Sequence, residues 1–351
     1  MAGQSLYHTY QRYRTLKTSV ISALPIVILM PHSACNCRCV MCDIWKDNKN
    51  LKQLTEADVT GLLGALKKYG TRQVLMSGGE ALLNNNFFKL CEILKKHRID
   101  VTLLTTGLTI KKHAQDILHY VNDLIVSIDG DEPLHDAIRN IPNAFAKLRE
   151  GVELLKTINP YYRVTARTVI HRLNFRNWQN IISACRKMGI DQVSFLPADV
   201  SSHAFNRQMA WEEPRQHEIL ISERELPELQ SVINDLLANA DNFNNRFIAE
   251  SPEKMQDIYN YYAAFYGHNP FPFKKCNAPW VSTVIEADGN VRPCFFMDVI
   301  GNIRESSLDE ILNSNESVNF RKSLDTSKNG ACIKCVCSLN LPPRTVPVAG
   351  N

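Results

Sequence analysis

With 351 residues and a hydrophobic fraction of 44%, the chain can form one large domain plus an appendage without covalent staples. Its formal charge of +4 is spread over short runs such as Lys95-Lys96-His97-Arg98 and Lys111-Lys112-His113, which argues against a nucleic-acid surface. Eleven cysteines are bunched rather than dispersed, a usage that fits metal sites in a reducing cytoplasm better than the disulfides of an exported protein.

Residues 1–24 read as an N-terminal helical extension. Arg12, Arg14 and Lys17 ahead of the apolar run Val20 to Met30 imitate a signal peptide, but Ser22 and Pro25 interrupt the run. It is also too short to cross a bilayer, so no membrane association is expected. Ile26 to Met30 is better read as a buried first strand.

Directly after it comes Cys35-x3-Cys39-x2-Cys42, with Cys37 as an off-pattern fourth thiol. A four-iron four-sulfur cluster has four irons to ligate, so three local cysteines leave one metal position open, and an open position distinguishes a reactive site from a structural one. A zinc knob and a disulfide knot are the alternative readings of the same thiols.

From this loop onward strands and helices alternate. Strands are expected at Val74 to Met76, Val101 to Thr105, Leu124 to Ile128, Val164 to Ile170 and Val193 to Leu196, all too apolar for a half-exposed sheet. Thr55 with Asp58 makes a capping box and Gly70 a stop for one helix, and Asn174 and Gly189 bracket another. Six such units with short connections imply right-handed crossovers and a parallel sheet, two units short of a closed barrel. The fold class is therefore α/β, a partial (β/α)6 TIM-like barrel over residues 25–200.

Chemistry in such folds gathers at the C-terminal strand ends. The second strand leads into Ser77-Gly78-Gly79-Glu80, whose glycines allow close backbone approach. The third ends in Thr105-Thr106-Gly107. The fourth gives Ser127-Ile128-Asp129-Gly130, followed by His135, Asp136 and Arg139; surface pairing of Arg139 with Asp136 is the structural alternative there. Arg167 on the fifth strand is read as pointing inward, with a structural ion pair as the alternative.

Residues 201–268 read as a helical insertion over the barrel mouth, with helices after Pro227 and from Ser251-Pro252 to about Gly267, joined by an Asn-rich link over 241–245. Tyr259, Tyr261, Tyr262, Phe265 and Tyr266 are read as packing. Residues 269–341 hold Cys276-x12-Gly289-x4-Cys294 and Cys332-x2-Cys335, with Asp288-Gly289 as a two-residue hairpin turn between strands at Val281 to Ile285 and Val291 to Phe296. Four thiols make a closed site, and a zinc ribbon is the alternative occupant. Residues 342–351 are a tail.

The cysteine loop and the Gly-Gly-Glu element resemble those of the radical S-adenosylmethionine (SAM) enzymes, and the second set resembles their auxiliary-cluster domain, SPASM, more closely in its shortened one-cluster form, twitch. The longer form would continue with cysteines where Leu341 and Thr345 stand. The resemblance implies a SAM-binding 4Fe-4S cluster on Cys35, Cys39 and Cys42, and one auxiliary 4Fe-4S cluster on Cys276, Cys294, Cys332 and Cys335. SAM itself would meet Met41, Gly78, Gly79, Glu80, Thr106, Ser127, Arg139 and Arg167. Reductive cleavage of SAM to a 5'-deoxyadenosyl radical, fed by an external reductant such as flavodoxin or ferredoxin, would then abstract hydrogen from an unactivated C–H. The expected substrate is a small, sugar-like or other secondary metabolite that is dehydrogenated or epimerised. A precursor peptide that is crosslinked is the alternative, and a non-catalytic iron–sulfur or zinc protein is the reading of another class. Cys337 as a hydrogen donor and Asp199 as a base are the catalytic candidates, with His171 and His203 near strand ends as further bases.

Overall fold

The computed structural model describes residues 6–204, 209–239 and 241–344. Most of the tail expected at 342–351, with Thr345, lies outside the described residues, as do the first five of the N-terminal extension. Strands β1 (Ile26–Leu29), β2 (Gln73–Met76), β3 (Asp100–Thr105), β4 (Asp123–Ser127), β5 (Val164–Ile170) and β6 (Gln192–Pro197) pair in parallel in sequence order. Helices α1 (Leu6–Thr18), α2 (Glu56–Lys68), α3 (Phe87–Lys96), α4 (Ala114–Tyr120), α5 (Glu132–Arg139), α6 (Ala144–Ile158) and α7 (Trp178–Lys187) accompany them. The fold is a partial TIM-like barrel. The capping box of Thr55 and Asp58 starts α2, whose chain leaves through Gly70 at φ +63°.

One expectation is corrected by the sheet's two faces. Val27, Val74, Leu103, Val126 and Ala166 are fully buried against the helices, whereas Ile28, Leu75, Leu104, Ser127, Arg167 and Leu196, on the opposite parity, are only half-buried. The strands read as uniformly apolar because few positions betray the alternation. The inward face lines an open interior and carries polar side chains at β4 and β5, where Ser127 and Arg167 stand in register.

The insertion contains α8 (Glu213–Ile219), α9 (Leu226–Ala238), α10 (Asp241–Asn244) and α11 (Pro252–Ala264), so the Asn-rich link forms a helical turn rather than a plain connection. The next few residues also pair with the edge of β6, Val193 N–H donating to Phe247 O at 2.7 Å and Ala249 N–H to Val193 O at 2.9 Å. Nothing in the local sequence signals this, because the pairing is with a strand more than fifty residues away. Tyr262 ties α11 to the barrel: its hydroxyl donates to Ile170 O at 2.5 Å and accepts from Ala198 N–H at 3.0 Å. Tyr262→Phe strands both backbone groups in a buried place and is expected to lower unfolding stability by about 1–3 kcal/mol, read as a reduced urea midpoint.

The C-terminal segment does not stand apart as an appended domain. After α12 (Ala278–Val281), β7 (Ser282–Ile285) joins the barrel sheet parallel to β1, in register Ile26 to Ser282, and β8 (Asn290–Arg292) and β9 (Gly301–Asn302) extend the sheet antiparallel. The hairpin loop has three residues, not two: Glu286 N–H still donates to Asn290 O, and Gly289 takes φ +91° after the turn. β8 stops at Arg292 because Pro293 has no N–H to offer a ladder, so the strand expected to reach Phe296 is cut short. Helices α13 (Leu308–Asn313), α14 (Asn315–Ser323) and α15 (Gly330–Ile333) follow.

The chain then plugs the barrel floor. Leu339 and Leu341 pack with Ile26, Leu75, Val281 and Trp280, and Asn277 brackets them by donating to Leu341 O at 3.0 Å and accepting from Leu341 N–H at 2.9 Å. The position where the longer auxiliary motif would have a cysteine is thus an apolar floor residue.

Candidate active site

The first cysteine loop hangs from the C-terminal end of β1 and is fixed on three sides. Asn48 brackets Cys35, accepting from its N–H at 3.0 Å and donating to its carbonyl at 2.8 Å. Arg38 N–H and Val40 N–H donate to Arg139 O and Ile138 O, both at 3.0 Å, so the last carbonyls of α5 hold the loop on either side of Cys39. The third side is the Gly-Gly turn. Gly78 sits at φ +116°, and a Cβ on Gly79 would stand 2.2 Å from Ala34 O. These glycines admit the cysteine loop's own backbone, with Glu80 N–H donating to Ala34 O at 2.9 Å.

Glu80 has no accessible surface. Its carboxylate accepts from Leu82 N–H at 3.1 Å, the Thr105 hydroxyl at 2.9 and 3.0 Å, Thr106 N–H at 2.8 Å and the Thr106 hydroxyl at 2.6 Å. Burial pushes its carboxyl above the usual range, and these donors oppose that. Glu80 and Thr106, expected as SAM contacts, are here bound to each other and join β2 to β3. The Thr106 hydroxyl also lies 3.0 Å from Asn36 Oδ1, at the foot of the cysteine loop.

Arg139 pairs neither with Asp136, which accepts from Asn143 and Phe145 N–H groups, nor with any surface group. Its Nη2 lies 2.5 Å from Asp129 Oδ2 and its Nη1 donates to Cys39 Sγ at 3.4 Å, all of it buried. The Cys37 thiol and then the Arg139 cation lower the Cys39 thiol, against the cost of burial. Burial moves Cys35 the other way, up to about 12.

The insertion reaches the same loop. Trp211 Nε1 donates to Asp43 Oδ2 at 2.7 Å, and Arg215 stacks 4.6 Å over the Trp211 ring while donating to Val40 O. Met41 is half-buried and packs against the core. Trp211→Phe removes the donor to a buried carboxylate and is expected to cost about 1–3 kcal/mol and to speed iron loss from the first site under chelator. Sequence reasoning passed over Asn48, Asp129, Trp211 and Arg215. Only Asp129, next to a Gly at a strand end, carried a local signal.

The second thiol set comes together from three segments, around Cys276, around Cys294 and over 332–337. Cys294 lies within electrostatic reach of Cys276, Cys332 and Cys337, and Cys335 within reach of Cys294 and Cys337. Burial is the first cause of the raised thiols at Cys294 (to about 12), Cys332 and Cys335. Cys337 keeps accessible surface and lies within electrostatic reach of Arg167, Lys274 and Asp199. Among the described residues no three His, Cys, Asp or Glu side chains converge as ligands of a single ion. Thiolates of a cluster attach to different irons and need no such convergence, so three plus four grouped cysteines fit two clusters.

The other candidates disperse. Asp199 is spent on its own loop, accepting from Ser201 and Ser202 N–H groups at 3.3 Å and the Ser202 hydroxyl at 2.5 Å. His171 is sealed, its Nδ1 accepting from Leu173 N–H at 3.3 Å, and burial lowers it to about 3. His203 is exposed and lies 3.6 Å from Asp298. Arg139 Nε, at the end of α5, and Arg167 Nε, within β5, are buried donors without a hydrogen-bond partner among the described residues.

Comparison with known proteins agrees with this geometry. Residues 29–185 match the Radical SAM superfamily and residues 276–336 the SPASM iron-sulfur cluster-binding domain. The chain is 25% identical over 351 aligned positions to the Fe-coproporphyrin III synthase of Methanosarcina barkeri, covering 93% of this chain and 85% of that one. It is 25% identical to the cysteine-type anaerobic sulfatase-maturating enzyme of Clostridium novyi, covering 90% and 85%. Streptococcus suis SuiB, solved bound to precursor peptide SuiA, superposes with a TM-score of 0.65 at 16% identity, over 95% of this chain and 76% of that one.

Proposed function

Because this chain carries a radical SAM domain followed by a SPASM iron–sulfur domain, we propose that it cleaves SAM reductively and uses the resulting radical to modify a ribosomally made precursor peptide. The observation that carries the SAM-cleaving part of this reading is the three-thiol loop at the C-terminal end of β1, clamped by α5 and the Gly-Gly turn. When bound, the first cluster supplies the electron, delivered by an external reductant such as flavodoxin or ferredoxin, that converts SAM to methionine and a 5'-deoxyadenosyl radical. Arg139 Nε and Arg167 Nε are the donors left for the SAM carboxylate and a substrate anion, an Arg fork being suited to both. The second thiol set holds the auxiliary cluster. Cys337, within electrostatic reach of Arg167 and Lys274, is the thiol this reading offers to a substrate.

A peptide is preferred over the sugar-like metabolite expected from sequence because a full-length relative is named for maturing a sulfatase, and none of the observations here favours a sugar. A tetrapyrrole is the second reading, supported by the archaeal relative aligned over 93% of the chain and by the cations Arg167 and Lys274 near Cys337, which suit a carboxylate-bearing substrate. The test is anaerobic reconstitution followed by SAM, dithionite and either a precursor peptide encoded beside the gene or an iron porphyrin. The proposal expects 5'-deoxyadenosine and a changed peptide mass. A change in the porphyrin alone transfers the assignment to the second reading, and full iron loading without 5'-deoxyadenosine overturns both.

A further inference from the structure

Sequence reading leaves Asp129 without a role, yet the structure makes it the anchor of the group that touches a cluster thiol. It is fully buried, two residues beyond the end of β4, and its carboxylate lies 2.5 Å from Arg139 Nη2. Arg139 is the last residue of α5, and its other fork nitrogen donates to Cys39 Sγ at 3.4 Å. The carbonyls of Ile138 and Arg139 would be orphans of the helix end, but they accept from Val40 and Arg38 N–H on the two sides of that same cysteine. Asn140 ends the helix in the left-handed conformation at φ +53°, turning the chain away and leaving those carbonyls to the loop.

A buried ion pair of this kind about breaks even in stability, because both charges lose their hydration. Its value must lie elsewhere, and the geometry says where. We infer that Asp129 is a positioning residue for the first cluster: it locks the Arg139 fork against Cys39 and balances its charge, and so sets both the seating of the cysteine loop and the reduction potential of the cluster held there. Hydrogen bonds to the ligating sulfur and local net charge are two of the levers that set such potentials. A cation at the thiolate favours the reduced, more negative cluster, and the paired carboxylate tempers that preference. The Arg fork allows one side chain to serve carboxylate and sulfur together, which the point charge of Lys cannot do.

The inference rests on the cluster reading of Cys35, Cys39 and Cys42, and the two fail differently. Reconstituted protein is poised at a series of potentials and followed by electron paramagnetic resonance, the first cluster being recognised as the signal that changes on adding SAM. A wild-type protein with no SAM-responsive signal refutes the cluster reading itself. Given that signal, Asp129→Asn is expected to shift its midpoint to more positive potential, since the Arg139 charge is no longer balanced. Arg139→Gln is expected to shift it to more negative potential, and Arg139→Lys to fall between Gln and wild type. Unchanged midpoints, or shifts of the same sign in Asp129→Asn and Arg139→Gln, overturn the inference. Should either variant fail to retain iron, hydrogen exchange at the Arg38 and Val40 amides decides: at least tenfold faster exchange than wild type is expected, and wild-type protection overturns it.

Discussion

Gly79→Ala is expected to empty the first cluster site while leaving most of the barrel folded. The added Cβ would lie 2.2 Å from Ala34 O and 2.6 Å from Ala34 C, where backbone faces backbone and no side chain can swing aside. Either the cysteine loop or the β2 turn must move, and the bond from Glu80 N–H to Ala34 O is broken whichever gives way. Overpacking of this kind costs about 1–3 kcal/mol, but displacing the loop also separates Cys35 from its partners, so the functional loss exceeds the stability loss. Iron content should fall by about four per chain, the complement of one cluster, with 5'-deoxyadenosine formation below a tenth of wild type. Gly64→Ala is the internal control. It lies in α2 with nothing within 4 Å of its would-be Cβ, so helix propensity alone acts and should raise stability by roughly 0.5–1 kcal/mol. Equal iron loss in both variants would show that the steric account of Gly79 is wrong.

The largest effect on turnover is expected from Cys42→Ala. Cys42 is only half-buried, unlike Cys39, so its truncation leaves little cavity and reports the chemistry of the ligand set rather than the packing. Iron should drop from about eight to about four per chain, and SAM cleavage should vanish although the auxiliary set is intact. Cys294→Ala in the second set should also lose about four irons while 5'-deoxyadenosine still forms, because SAM binds at the other site. If Cys42→Ala still cleaves SAM, the three-thiol loop is not the reactive centre.

Much of this site was legible in the chain. Spacing alone grouped Cys35, Cys39 and Cys42, and hydrophobic runs located all six barrel strands to within a residue or two, since a strand buried on its helix-facing side must be apolar wherever it occurs. The capping box at Thr55 is equally local, closing within four residues, and is present. What was not legible depends on partners distant in sequence. The contacts of Glu80 come from Thr105 and Thr106, arriving from the next strand. Arg139 pairs with Asp129 and Cys39 rather than with Asp136, groups brought within reach only when α5 folds back over the cysteine loop. The floor role of Leu341 and the insertion of β7 beside β1 are likewise invisible in a window of any length, because a segment some 250 residues later supplies the pairing.

The sequence by itself therefore determined the ligand inventory and the order of strands and helices, since thiol chemistry and hydrophobic periodicity are properties of short stretches. Tertiary structure alone decided which charged groups face the thiols, which are consumed in holding strands together, and that the auxiliary segment completes the barrel sheet instead of hanging from it. Those outcomes turn on burial and on hydrogen-bond satisfaction. Both are set by what the rest of the chain packs against a residue, and neither exists until it does.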